Sequence, residues 1–285
     1  MPSRRDRALL ATGAAIGAGA AVAGWAALVE PRRTIVERIT LELPGWPPAL
    51  DGLQVALVSD LHAGGPHVDV ARLRRLVTGL NTRWPDLVLL AGDLVDADVA
   101  GGEPIPPEPV AEALGRLRPP FGAIAVLGNH DRAFDGPRVA AALRAAGVVV
   151  LDDDLWAVGV RGVRLWIAGV ADVTTERADP DALLARVPDG DPVLVLTHNP
   201  DVFPRVPPRA ALVLAGHTHG GQVALPGVKA RVIPSRFGAR YAAGHVVEGD
   251  RHLFVTSGVG ESRWPIRLNA PPEVVLLRLR PLSSA

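Results

Sequence analysis

Five short stretches of this chain carry residue types that could hold metal ions. They are Asp60-Leu61-His62, Gly92-Asp93-Leu94-Val95-Asp96, Gly128-Asn129-His130-Asp131, Thr197-His198-Asn199-Pro200 and Gly216-His217-Thr218-His219. Asp60 and Asp93 offer carboxylates, Asn129 an amide oxygen, and His62, His198, His217 and His219 imidazoles. Oxygen and nitrogen donors of this kind suit divalent Mn, Fe, Zn or Co, and two such ions side by side are the usual apparatus of metal-assisted phosphate-ester hydrolysis. A carboxylate has two oxygens, so Asp93 can bridge two cations about 3.5–4 Å apart and offset their repulsion. The Asp60/His62 and His217/His219 pairs are alternate residues just past apolar runs. An extended backbone there would turn both members of each pair the same way.

These stretches need elements that bring them together. Each follows an apolar run of strand length: 55–59, 87–91, 123–127, 193–197 and 211–215. Ligands of open α/β sheets bind outside the strand ends. Alternation predicts a first strand over 34–43. Helical spacing marks 69–80, with Asp69 as N-cap, and also 110–117, 137–146 and 181–187. The Pro-rich piece 101–109 reads as a loop, and Gly147 stops the helix before it. Strands follow at 148–151, 156–160 and 163–170, and late ones at 244–248, 253–257 and 272–280. The first half is β-α-β and the second strand-rich. The fold class expected is therefore α/β, with two stacked mixed β-sheets flanked by helices.

Composition narrows the function. Acidic and basic residues balance at zero net charge, which argues against a nucleic-acid scaffold role. The absence of cysteine excludes disulfides and thiolate metal sites. Arg4, Arg5 and Arg7 precede an uncharged Ala- and Gly-rich run from 8 to 29. That is the pattern of a signal or membrane-anchor segment over 1–30, and the run is long enough to cross a bilayer. It predicts a chain held at the membrane or exported, with its catalytic part outside the cytoplasm. Ala21-Val22-Ala23 is a possible cleavage site, Ser3-Arg4-Arg5 a partial twin-arginine signal, and Trp25 an interfacial anchor. His67, His245 and His252 read as packed or solvated. Lys229, Arg231, Arg236 and Arg240 form a basic stretch that suits either an anionic head group or a solvated loop.

Taken in order, the motifs D-x-H, G-D-x-x-D, G-N-H-[DE], H and G-H-x-H resemble those of calcineurin-like metallophosphoesterases, in particular a membrane-anchored or exported bacterial phosphodiesterase branch. The similarity runs from about 34 to 280, and the domain it implies spans 34–281. The branch likeness extends to Gly220-Gly221-Gln222 and to Arg240-Tyr241 with Gly244. The resemblance implies two divalent metal ions. One would be held by Asp60, His62, Asp93 and His219, the other by Asp93, Asn129, His198 and His217. It implies a metal-bound hydroxide as nucleophile, with His130 as general acid oriented by Asp96. The substrate implied is a phosphodiester or a lipid-linked pyrophosphate. Some relatives are linked to cleavage of nucleotide-linked acylated glucosamine. Ala97 stands where the phosphoprotein phosphatase branch has arginine, which disfavours phosphoprotein substrates. The alternative is a non-catalytic, metal-stabilised surface binding module.

Overall fold

The computed structural model describes residues 4–96, 98–174, 178–224 and 233–282. Helix α1 (Arg4–Gly24) continues through a wider turn, Trp25–Val29, and a 3₁₀ turn, Glu30–Arg32. This Arg4–Arg32 run is long and apolar enough to cross a membrane by length and composition. Leu9, Leu10 and Ile16 are exposed along it.

The elements that follow are β1 (Ile35–Leu43), β2 (Leu53–Val58), α2 (Val70–Asn81), β3 (Leu87–Ala91), α3 (Pro107–Leu114), β4 (Ala123–Val126), α4 (Asn129–Ala145) and β5 (Val149–Val150). After them come β6 (Asp154–Val160), β7 (Val163–Val170), α5 (Pro180–Leu184), β8 (Val193–Thr197), β9 (Leu212–Ala215), β10 (Gly244–Glu248), β11 (Arg251–Val255) and β12 (Glu273–Pro281). They build two six-stranded mixed sheets, in the orders β1-β12-β2-β3-β4-β5 and β10-β11-β9-β8-β7-β6.

The sheets stack face to face. Strand residues alternate between faces, and β2 shows the rule. Leu53, Val55 and Leu57 point into the layer between the sheets, where they join Leu89, Ile167, Leu196 and Leu214. Ala56 and Val58 point outward under α2, α3 and α4, against Leu73, Leu114 and Leu143. A third cluster around Phe203 and Tyr241 covers the outer face of the second sheet. β2, β3 and β4 run parallel, as do β7, β8, β9 and β11. The motif-bearing loops of each sheet therefore leave from one edge.

Two helices start well before the sequence expectation, and α5, expected over 181–187, ends at Leu184. α3 starts at Pro107, inside the segment read as a loop. Its proline occupies the first helical position, where the missing N–H costs nothing. α4 starts at Asn129 rather than 137. A break at Asp135 (φ −178°, ψ 79°) divides it, and Asp135 Oδ1 caps the second piece by accepting from Arg138 N at 3.2 Å. Pro137 marked that second start correctly, and the turn before it carries Asn129 and His130.

Candidate metal centre

The five motif loops meet where the two sheets' edges adjoin, and the candidate donors fall into two groups. In the first, His62 Nε2 lies 3.1 Å from His219 Nε2, 3.9 Å from Asp60 Oδ1 and 3.7 Å from Asp93 Oδ2. His219 Nε2 is 3.4 Å from Asp60 Oδ1. In the second, His198 Nε2 lies 3.1 Å from Asp93 Oδ2, 3.2 Å from Asn129 Oδ1 and 3.0 Å from His217 Nδ1. One oxygen, Asp93 Oδ2, belongs to both groups. All seven residues named from the sequence are brought together.

The donors fit divalent cations. His198 Nδ1 donates to Ala91 O at 2.7 Å, so the neutral ring presents a lone pair at Nε2. That lone pair faces a carboxylate oxygen and an amide oxygen, both acceptors, and only a positive charge reconciles them. Burial lowers the His198 pKa, but the charge and hydrogen bond of Asp93 outweigh it and raise it to about 10. A divalent ion would answer the same demand, and atoms roughly 2.1 Å from one ion stand at about these separations from each other. His219 is held well below the ordinary histidine range by burial and by the nearby His62 and Arg267. It is thus kept neutral, the form that binds a metal.

Outer contacts hold the rings in place. Asp96 Oδ2 accepts from His62 Nδ1 at 2.5 Å, while Asp96 Oδ1 lies 3.1 Å from His130 Nδ1. The expected Asp96–His130 pair is present, and the same carboxylate also orients His62. Burial lowers the His130 pKa. The Asp96 hydrogen bond and the charges of Asp93 and Asp96 more than offset this and raise it to about 9. Asp93 is bound from behind as well, its Oδ1 accepting from His130 N at 2.8 Å.

Five of the seven candidate donors have left-handed backbones: Asp60 (φ 51°), His62 (φ 44°), Asp93 (φ 52°), His217 (φ 70°) and His219 (φ 52°). This corrects the expectation of extended pairs. Residues two apart converge because each chain coils sharply after its strand, and the coil also aims backbone N–H groups at the site. His217 N, for example, donates to both Asp60 oxygens at 3.0 and 3.1 Å. Such conformations cost on the order of 1–3 kcal/mol each and cluster at functional sites. Close approach sets a further condition. A Cβ on Gly128 would collide with Asp93 Oδ1, so the loops carrying Asp93 and Asn129 can adjoin only with glycine there.

Of two positioning residues, the sequence left Asp131 open between a carboxylate that supports the site and an ordinary turn carboxylate, and it did not mark Arg267. Asp131, fully buried, accepts from Leu94 N (2.8 Å), Val95 N (3.0 Å) and Gly128 N (3.0 Å), tying the second motif to the third. Its place three residues into α4 was the available signal, since an acidic residue there caps a helix. Arg267, also fully buried, donates to the carbonyls of Ser257 (2.8 Å), Gly260 (Nε, 3.0 Å) and Ala270 (2.8 Å) and reaches 3.4 Å from His219 Nδ1. No local pattern marks it. Of the other histidines, His67 packs 3.4 Å from Glu261, and His245 faces His252 at 3.0 Å on β10 and β11. Arg240 is engaged by Glu248 at 2.7 Å. Lys229, Arg231 and Ala97 lie outside the described residues.

A cavity of 970 Å³ opens over the second donor group and reaches His219 of the first. Asp93, Asn129, His130 and His217 line its polar side, and Arg236 stands at its margin. Val223, Ile233, Trp264 and Ile266 form an apolar side. Trp264 is 67% exposed.

Residues 53–221 match the calcineurin-like phosphoesterase family model. This chain belongs to that family. It is a metal-dependent phosphohydrolase, which sets aside the non-catalytic reading. The phosphoesterase is 29% identical over 273 residues to the uncharacterized metallophosphoesterase YkuE of Bacillus subtilis, covering 93% of this chain and 94% of the relative. It is 34% identical over 200 residues to the phosphodiesterase YaeI of Escherichia coli, covering 68% and 70%. It is 26% identical over 311 residues to the UDP-2,3-diacylglucosamine pyrophosphatase LpxG of Chlamydia trachomatis, covering 89% and 92%.

Proposed function

We propose that this phosphoesterase holds two divalent ions and cleaves phosphodiesters or lipid-linked pyrophosphates at a membrane surface. Asp93 carries the reading: one buried carboxylate oxygen stands within 3.7 Å of His62 and 3.1 Å of His198. Asp60, His62, Asp93 and His219 would hold one ion, and Asp93, Asn129, His198 and His217 the other. Bound there, the ions would supply an activated water and neutralise charge on the phosphoryl oxygens.

The protein's own groups do the rest. His130 lines the cavity with Nδ1 engaged by Asp96, so the proton at Nε2 is the one available to a departing alkoxide or phosphate. Asp96 fixes the ring and favours its charged form. The apolar cavity wall suits an acyl-bearing substrate, in keeping with the activity named for the Chlamydia relative. Membrane anchoring through the 1–30 segment is supported by the foot of the N-terminal helix, which is bonded to this wall's own loop. Arg267 N donates to Ala26 O at 2.9 Å and Ala270 N to Glu30 Oε1 at 2.9 Å. A substrate in the bilayer then meets the site at high effective concentration.

The test uses the purified full chain. Elemental analysis should find two divalent ions per chain, and a nitrophenyl phosphodiester should turn over with Mn²⁺. An acylated nucleotide-sugar pyrophosphate should be preferred over its deacylated form. A single ion per active chain would sink the dinuclear reading, and equal rates on the two pyrophosphates would sink the lipid one.

A further inference from the structure

A second cavity, of 470 Å³, lies away from the metal centre, between the foot of the N-terminal helix, the start of β1 and one face of α2. Arg32, Arg72, Arg75 and Arg83 line it, with Thr34 and a single carboxylate, Asp69. Several other surface arginines are ion-paired: Arg116 with Glu112 (2.7 Å), Arg138 with Glu108 (2.8 Å), Arg186 with Asp154 (3.1 Å), Arg280 with Asp51 (2.8 Å). Around this cavity four arginines converge on one space. Among the described residues, none of the four guanidinium groups has a carboxylate oxygen within ion-pairing distance. Asp69 is occupied as the cap of α2, accepting from Arg72 N at 2.6 Å.

Arg72 is the fixed wall of the cavity. It donates to His67 O (2.7 Å), Pro31 O (2.8 Å) and Thr34 Oγ1 (2.9 Å), which ties α2 to the helix foot. Buried Glu261 lies behind it and balances part of its charge. Burial lowers the Arg72 pKa, and the positive charges of Arg75 and Arg32 lower it further. The cluster therefore repels itself. Arg83 donates to Gly79 O at 2.5 Å while its Nε is buried without a partner. Arg32 and Arg75 are exposed at the rim. Guanidinium forks arranged this way match the oxygens of a phosphate group.

We infer that this arginine-lined cavity binds the phosphate group of an anionic phosphoester, and that its position assigns the role to a lipid headgroup. Arg32 ends the helix long enough to cross a bilayer, and Trp25, 42% exposed with Arg33 over its ring at 5.4 Å, sits about two turns earlier. Aromatic rings of this kind mark the headgroup level, where basic side chains meet anionic lipids. The cavity thus opens at the height where phosphates lie. This placement rests on the membrane reading of the N-terminal helix. Occupancy would lock the helix foot, α2 and β1 together and set how the catalytic domain stands on the surface.

The experiment follows thermal unfolding of the full chain in neutral detergent micelles during titration with short-chain phosphatidylglycerol, phosphatidylcholine or glycerol phosphate. Phosphatidylglycerol should raise the midpoint temperature saturably, at a concentration at least ten-fold lower than phosphatidylcholine does. The Arg75→Gln/Arg83→Gln variant should need at least ten-fold more, with turnover of a soluble diester unchanged. Arg75→Gln alone, which removes an exposed and unbonded side chain, should show the same trend if the double variant unfolds. An equal response to glycerol phosphate upholds the site and assigns it a soluble phosphoester. A response confined to phosphatidylglycerol upholds it and assigns the lipid. Equal titration by phosphatidylglycerol and phosphatidylcholine, or an unchanged response in the variants, overturns the proposal. Co-sedimentation with pure phosphatidylcholine vesicles separately tests the anchor, so loss of anchoring is not confused with loss of the phosphate site.

Discussion

The two halves of the metal centre are built differently. Asp60, His62 and His219 are buried, and their rings are held from behind by Asp96 and Arg267. Asn129, His130 and His217 are only partly covered and face the large cavity. In the first half only His219 reaches the cavity, and Arg267 stands behind its ring. The second keeps room for a substrate. Asp93 belongs to both, so it couples a rigid half to an open one. The lesson is that holding a cation and presenting it are assigned to different loops, with one carboxylate between them.

The comparison can be broken most severely at its hinge. Asp93→Asn keeps the shape and removes the charge, so both halves should lose their ions, and turnover of a nitrophenyl diester should fall at least about 1,000-fold, some 4 kcal/mol of transition-state stabilisation. Elemental analysis checks the first claim, since a variant that keeps one ion would show the halves to be independent. His130→Ala removes a ring that is not among the seven proposed donors, although it stands 4.8 Å from the ring of His62. Metal content should stay while the rate on an alkyl diester falls roughly 10²–10⁴-fold. The loss on the nitrophenyl diester should be much smaller, because that leaving group needs little protonation.

Asp96→Asn probes the shared support. Loss of a carboxylate behind a ligating histidine typically costs about 10–100-fold in metal affinity, so the buried half should release its ion first in a chelator titration. The smallest effect is on pH. His130 acts as an acid when protonated, and its pKa is raised to about 9, so activity should be present at neutral pH and lost as pH rises through that value. Cations in the site oppose the rise, which places the limb at or below pH 9. Without the Asp96 carboxylate, the limb should move further toward neutral pH. A limb that does not move would remove Asp96 from the role of orienting His130.

Much of this was legible from residue types. The apolar runs announced β2, β3, β4, β8 and β9 because buried parallel strands need continuous hydrophobic side chains on both faces. The donor residues stood at their ends because strand ends are where backbone turns into the crevice. Less was legible where the signal is not periodic. The left-handed turns at Asp60, Asp93 and His217 were hidden, since no rule of sequence places non-glycine residues there. Asp131 resembled an ordinary turn carboxylate until its three backbone donors were visible. Arg267 lies 48 positions from His219. Arg32 ends the helix foot, Arg72 and Arg75 lie on α2 and Arg83 just past its end, and they make a cluster only when α2 packs beside the helix foot.

The order of residues along this chain determined which groups are available for metal chemistry, that each follows a strand, and that an apolar helix precedes them all. Those are local properties, set by side-chain type and by hydrophobic period. Only the tertiary structure decided that one oxygen of Asp93 serves two groups of donors, that Asp96 holds two histidines, and that four guanidinium groups surround one space. Such facts depend on distances between residues far apart in sequence, which exist only once two sheets have stacked and their loops have met.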